Sequence, residues 1–473
     1  MIRRREFLAG SAAGGLLAAG CARAPLATAG STRLPPLFDA IEERTFRYFW
    51  DTTDPRTGLA PDRWPSPSFC SIAAVGFALT ALPVGVTRGW ITRAAARDRT
   101  LATLRFFWAG KQGPDPTGTI GHKGFFYHFL GMDTGTRFRD CELSTIDTTL
   151  LMGGVLFAAA WFDAEDPGEA EIRDLADRLY ARIDWRWAVT RPPLVSMGWL
   201  PEIGFIAKDW YGYNEAMLLY VLALASPTHA LEPAAWAGWT RSYPSSWRGE
   251  GATRHLAFAP HFGHQYSHVW IDFRGIRDTA MREAGFDYFE NSRRATYAQR
   301  AYAIANPLGW SGYSEDVWGL TACDGPADAT LPLNGVDRFY RGYSARGQID
   351  FPDGFDDGTI APTAAIASLP FAPEIVIPCA AALQRDHGAR IWGRYGFIDS
   401  FNPSFAYADV PLNRGRVDGR HGWVAEDHIG IDQGPILAMI ANHRDDLVWR
   451  TMRRSPIIRR GLQRAGFTGG WLG

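Results

Sequence analysis

Apolar residues recur at i, i+3, i+4 and i+7 along most of the chain, the repeat of helices with a buried face. The spacing predicts helices over residues 37–50, 68–82, 88–109, 144–162 and 169–183, then 214–225, 233–239, 263–271 and 279–305. Four more fall at 360–369, 372–383, 433–443 and 445–465. Ser144-Thr-Ile-Asp147 opens one of them as a capping box, with Asp at N3. Long loops rich in Gly, Asp, Trp and Tyr separate the helices at residues 111–143, 185–213, 306–359 and 393–431. Loops of that length in a compact chain usually carry function. Twelve or thirteen helices in antiparallel pairs predict an all-α fold. A six-hairpin (α/α)6 barrel fits them, with a helical solenoid as the competing architecture. No composition shift marks a second domain and no short repeat is visible, so residues 37–473 read as one barrel.

The first residues break this pattern. Arg3, Arg4 and Arg5 precede Glu6-Phe7-Leu8 and a Gly/Ala/Leu run to Cys21, which is the layout of an export signal of the twin-arginine type. Ala18-Ala19-Gly20-Cys21 resembles the box at which bacterial lipoproteins are cut and lipidated on cysteine; a cut near Ala29 is the alternative. Residues 1–21 are therefore read as signal and 22–36 as a Pro/Gly/Thr-rich tether. The expected product is an exported, periplasmic protein whose only membrane contact is an N-terminal lipid on Cys21. No later apolar run approaches the roughly 20 residues needed to span a bilayer.

Composition narrows the chemistry. The 473 residues hold 49 Lys+Arg against 50 Asp+Glu, which gives no support to a nucleic-acid partner, and 46% hydrophobic content excludes a disordered chain. Loss of the signal, with its three Arg and one Glu, takes the net charge from −1 to −3. Besides Cys21, the widely spaced Cys70, Cys141, Cys323 and Cys379 exclude a CxxC pattern and read as buried free thiols. Aromatics make up 13% of the chain, with nineteen Trp. Those at helical spacing, such as Phe106, Phe107 and Trp161, are expected in the core.

The other aromatics cluster with carboxylates and amides in the loops. Examples are residues 139–144 (Asp140, Glu142), 209–215 (Trp210, Tyr211, Tyr213, Asn214, Glu215) and 264–272 (His264, Gln265, Trp270). Residues 395–402 (Asp399) and 430–435 (Asp432) continue the theme. Sugars call for this mixture, because aromatic faces stack on pyranose rings while amides and carboxylates take the hydroxyls. Glycosidic cleavage adds a need for two carboxyl groups of different ionisation.

Each acid also has a structural reading. Asp147 reads as a helix cap and Asp140 as a surface partner of Arg139 or another Arg. Asp432 either caps the helix that follows or binds sugar. Glu142, next to an apolar run, reads as functional. Glu215 opens an apolar helix behind the candidate N-cap Asn214, where the helix terminus favours its charged form and the neighbouring aromatics oppose it. His255, His261, His264 and His268 lack a Glu-bearing zinc motif, so neither metal nor cofactor is expected.

Longer motifs then stand out: Gly124-Phe-Phe-Tyr-His-Phe-Leu, Glu142-Leu-Ser-Thr-Ile-Asp147-Thr and Trp210-Tyr-Gly-Tyr-Asn-Glu215-Ala-Met. Trp318-Gly-Leu-Thr-Ala-Cys-Asp324-Gly-Pro, Asp357-Gly-Thr-Ile-Ala-Pro-Thr-Ala and Ile431-Asp-Gln-Gly-Pro435 complete the set. Together, over residues 38–449, they resemble the bacterial glucoamylase-like domain that includes glycoside hydrolase family 144. The chain departs from that pattern at Ile440-Ala441-Asn442, where a Glu is expected before the Asn. The resemblance implies an (α/α)6 barrel, β-1,2-glucan as substrate, and cleavage with inversion to sophorose and short sophorooligosaccharides. It matches Glu142 and Glu215 to the principal acidic pair, and Asp140 and Asp399 to further acids of the cleft, without deciding acid from base. Trp210, Tyr211, Tyr213, His264, Gln265, Trp270 and Asp432 are the candidate sugar-binding residues. A retaining transglycosylase, an exo-acting glucosidase, a non-catalytic glucan-binding lipoprotein and a polysaccharide lyase remain as alternatives. A monomer is expected.

Overall fold

The structure is a computed structural model and describes residues 33–351 and 353–473. Its compact unit spans Leu34–Gly473. The export signal, Cys21 and the tether up to residue 32 lie outside the described residues.

One-sided helices alternate with helices buried all round. Helix α1 (Pro36–Thr52) buries Phe38, Ile41, Thr45, Phe46 and Phe49 and leaves its other face to solvent, whereas α2 (Ile72–Thr87) is buried from Ile72 to Gly85. The alternation continues through α3 (Arg93–Ala109), one-sided, and α4 (Thr145–Trp161), buried along most of its length. Next come α5 (Pro167–Ala181), one-sided, and α6 (Met217–Ala225), buried at every position. Two short helices, α7 (Ala234–Thr240) and α8 (Tyr243–Ser246), lead to α9 (Tyr266–Trp270), again wholly buried. Then follow α10 (Thr279–Ala284), α11 (Tyr288–Ala305), the buried α12 (Pro362–Ile366), α13 (Pro373–Ala382) and α14 (Gly388–Ile391). The chain closes with the buried α15 (Gly430–Asp445), then α16 (Leu447–Met452) and α17 (Pro456–Arg464).

A helix buried on every side must be surrounded by protein. The six such helices, α2, α4, α6, α9, α12 and α15, form the inner ring of an (α/α)6 barrel, and the one-sided helices form its outer layer. Helix α2 packs on α4 and α15, α4 on α6, and α15 on α9 and α12. The crossing of α2 and α4 is close enough to require glycine: a Cβ on Gly154 would lie 2.0 Å from the Gly76 carbonyl oxygen. Side chains complete the ring. The Ser267 hydroxyl of α9 accepts from the Leu218 amide and donates to the Glu215 carbonyl. Gln265 donates to the Ala364 carbonyl of α12, and Thr363 to the Asp432 carbonyl of α15.

Several boundaries differ from the sequence pattern. The expected helix at 279–305 breaks at Gly285, whose φ of +84° ends α10 before Asp287 caps α11. The expected 445–465 helix divides likewise, with Ser455 capping α17. Residues 306–359 are partly strand: Ala329–Leu333 pairs with Val336–Tyr340, and Ala322–Asp324 with Tyr343–Ala345. Cys70, Cys141, Cys323 and Cys379 are free thiols. No helix among the described residues is long and apolar enough to cross a membrane.

Candidate active site

The loops before the inner helices carry the chemistry, and short strands align them. Strand Phe125–Tyr127 pairs antiparallel with Leu143–Ser144, Tyr127 facing Leu143, so the next residues in register are His128 and Glu142. The His128 amide donates to the Glu142 carbonyl at 2.9 Å, and their side chains meet with Nδ1 2.8 Å from Oε1. On its other side, His128 Nε2 lies 3.5 Å from Oδ2 of Asp147. Asp147 is the N3 residue of α4, and its carboxylate also accepts the Ser144 hydroxyl at 2.5 Å while the Ser144 oxygen caps the Asp147 amide. Only half of the predicted capping box forms: Ser144 caps the Asp147 amide, but the Asp147 carboxylate takes the Ser144 hydroxyl rather than its backbone N–H, which aims Asp147 at an imidazole. Between two carboxylates His128 is pushed up to about 9, although burial alone opposes its charge. Burial raises the pKa of Glu142, but the hydrogen bond and charge of His128 win and hold it below the usual glutamate range.

Glu215 has the opposite environment. The turn ahead of α6 is fixed by Asn214, whose side chain accepts from the Ala216 amide and donates to the Tyr211 carbonyl, and by Gly212 at φ +75°. Helix α6 starts three residues later than predicted, at Met217, with no side-chain cap. Glu215 is 9% exposed and its Oε2 has no hydrogen-bond partner. Desolvation, aided by the negative charge of Asp147, pushes it up to about 7. Of the two opposed effects the sequence left open, burial prevails over the helix terminus.

A second acidic group joins Asp324, at the end of strand Ala322–Asp324, with Asp399 and with Asp432 in the first turn of α15. Asp399 accepts from the Asp324 amide at 2.8 Å and the Ser400 hydroxyl at 2.9 Å. Burial and the charge of Asp324 push it up to about 7. Its partner is Asp432, raised well above the usual aspartate range by burial and by the charge of Asp399. Asp432 sits in the first turn of α15 but makes no capping bond. Arg63 supplies counter-charge, 2.5 Å from Asp324 and 3.1 Å from Asp62. Below, Arg346 grips Asp357 through two bonds of 2.7 and 2.9 Å, both side chains fully buried, and donates to the Cys323 carbonyl, which fixes the loop that presents Asp324. The same charges reach Tyr266 at the head of α9, whose hydroxyl is raised first by burial and then by Asp432, Glu215 and Asp147. The acids before α4, α6 and α15 thus converge on one end of the inner ring.

The remaining sequence candidates divide. Tyr211 is 61% exposed and lines an open groove of about 770 Å³ with Arg191, Lys208 and Asp209. Asp140 is exposed on the turn before Glu142, with no ion pair to Arg139, whose guanidinium lies over Phe138. Five expected sugar contacts belong to the barrel wall instead. Trp210 is buried and donates to Thr145, and Tyr213 stacks on Tyr288 at 6.0 Å. Trp270, 0% exposed, stacks on Phe77 and donates to Thr80. Gln265 spends its amide on Ala364 and Ser368. His264 is buried beside His261 and Tyr213, and burial keeps it neutral. The aromatic–polar composition is common to both populations; only the direction of each side chain separates them.

Sequence reasoning passed over His128, Arg63, Asp62, Asp324 and Tyr343. Tyr343 is 63% exposed although its hydroxyl feels Asp432, Asp399 and Asp324, the position of a residue on a concave wall. His128 and Asp324 stood inside the long motifs and were not taken for their chemistry.

An (α/α)6 barrel with carboxyls of split ionisation at one end of its inner ring is the architecture of a carbohydrate-active protein. Residues 207–456 match the family described as "Putative glucoamylase", and the chain belongs to that family. A Bacteroides uniformis protein of the same description is 30% identical, with 92% of this chain and 98% of that one aligned at a TM-score of 0.78. An endo-β-1,2-glucanase from Chitinophaga pinensis, solved with sophorotriose and glucose, is 26% identical over 92% of this chain and 99% of its own, also at 0.78. An exo β-1,2-glucooligosaccharide sophorohydrolase acting at the non-reducing end, from Parabacteroides distasonis, is 27% identical over 90% of this chain. The chain spans 57% of that relative's length.

Proposed function

We propose that the protein is an exported glycoside hydrolase that cleaves β-1,2-glucan to sophorose and short sophorooligosaccharides. The observation that carries this reading is the split between two glutamates: Glu215, buried with a free Oε2 and raised to about 7, and Glu142, held ionised by His128. Glycosidases need one carboxyl of each kind. Glu215 is the general acid and gives its proton to the glycosidic oxygen as the bond to the anomeric carbon breaks. Glu142 is the general base and takes a proton from the water that attacks that carbon on the opposite face. The product then has inverted configuration. The Asp399–Asp432 pair and Tyr343 bind hydroxyls and a ring face, and Tyr211 takes a sugar further along the groove. The neutral charge balance suits an uncharged polymer.

Similarity to both an endo-glucanase and an exo-acting sophorohydrolase supports β-1,2-linked glucose as the substrate class. Incubation with linear β-1,2-glucan is expected to release new reducing ends; their absence refutes the reading. Proton NMR of the first product resolves its anomer: α supports inversion, whereas β supports a retaining enzyme. For export, replacing Arg4 and Arg5 by Lys is expected to trap the protein in the cytoplasm. Mass spectrometry of the mature N-terminus should find a diacylglyceryl group on Cys21, and an unmodified terminus would remove the anchor.

A further inference from the structure

His128 touches two acids of the site and has no role in the reaction as written. Its imidazole is not free to turn, since it lies against the Phe129 ring at 3.8 Å and 20°. Nδ1 reaches Glu142 and Nε2 reaches Asp147, and Asp147 is itself fixed by Ser144. Strand register places the residue opposite Glu142, so the contact follows from the backbone rather than from a chance rotamer.

We propose that His128 is a positioning residue, an imidazolium clamped between Glu142 and Asp147 that orients the Glu142 carboxylate toward water and keeps it ionised. This rests on the general-base role given to Glu142 above.

The charged groups around the clamp agree with that state. Glu142, Asp147 and Asp62 all favour the cation at His128, and Arg137 adds a weaker positive influence on Glu142. Beyond Asp147 lies Glu215, which the Asp147 charge pushes toward its protonated form. The clamp is thus positive toward the base and negative toward the acid, and it separates the two glutamates in the direction the reaction requires. A neutral imidazole would donate to one carboxylate and turn a lone pair on the other.

Two measurements test the proposal. Selective 15N-histidine labelling, with the His128 signal assigned by its loss in His128→Gln, is expected to show titration near pH 9. A midpoint near the ordinary 6.5 or below overturns the clamp, whether or not the protein is a glucanase. The second is the pH–rate profile. His128→Gln keeps a hydrogen-bond donor but removes the charge. The acidic limb of kcat/KM should therefore move up by about 1–3 pH units. Each unit costs about tenfold in rate below the limb, with KM little changed on the plateau. A uniform loss with the limb unmoved would assign His128 a purely structural role and overturn the proposal. If the wild type releases nothing from β-1,2-glucan while His128 titrates near pH 9, the clamp stands and the functional reading falls.

Discussion

Glu215→Gln should make the protein more stable as it makes it inactive, and the gain should exist only at high pH. In the folded chain Glu215 holds its proton to about 7, against a normal value of 4.5. The folded state therefore binds more protons than the unfolded state between those values, so stability falls as pH rises through the window. Between 4.5 and about 7 this loss amounts to about 3 kcal/mol, absent below pH 4 and complete above pH 8. Glutamine has the same shape and no charge to desolvate, so it escapes that loss. For a body of this length, about 3 kcal/mol corresponds to roughly 3 °C in Tm. Unfolding of both proteins at pH 4 and pH 8 gives the readout: the difference between variant and wild type should grow by about this amount from the lower pH to the higher. A difference that stays constant, or one that favours the wild type at pH 8, would refute the claim that Glu215 is a desolvated acid. The same proton sets the alkaline limb of activity near pH 7.

Other consequences are independent of that group. Glu142→Gln should lower kcat by about 10²–10⁴ with the fold intact, checked by circular dichroism alongside the assay; wild-type rates would move the base to the Asp399–Asp432 pair. Asp357→Asn leaves the Arg346 guanidinium, fully enclosed, without its counter-charge, and should cost about 3–5 kcal/mol in denaturant unfolding. Trp270→Ala should destabilise by about 3–5 kcal/mol, whereas Tyr211→Ala should change stability by less than about 0.5 kcal/mol and raise KM, the opposite behaviours of a core ring and a groove ring.

Periodicity was enough to find most helices, because α2, α4 and α6 are apolar at most positions and outer helices such as α1 and α5 carry a clear stripe. It failed where one residue outweighed the stripe, as at Gly285, where a left-handed turn stops an otherwise continuous pattern. Glu142 and Glu215 were legible as candidates because an acid beside an apolar run has few structural uses. Their difference was not legible, since it depends on His128 fourteen residues away in one case and on an empty surround in the other. Trp270 and Tyr211 show the same limit: both sit beside polar residues in sequence, but α9 turns the first into the barrel wall and the turn before Glu215 leaves the second outside. Asp432 was balanced between cap and site, and the missing capping bond, with Asp399 opposite, favours the site.

The most direct test of the central claim is the product profile of the purified protein on linear β-1,2-glucan, with Glu215→Gln as the control. Sophorose and short sophorooligosaccharides from the wild type, and none from the variant, are the predicted result. Intact polymer after prolonged incubation with the wild type, or equal cleavage by both proteins, would contradict it.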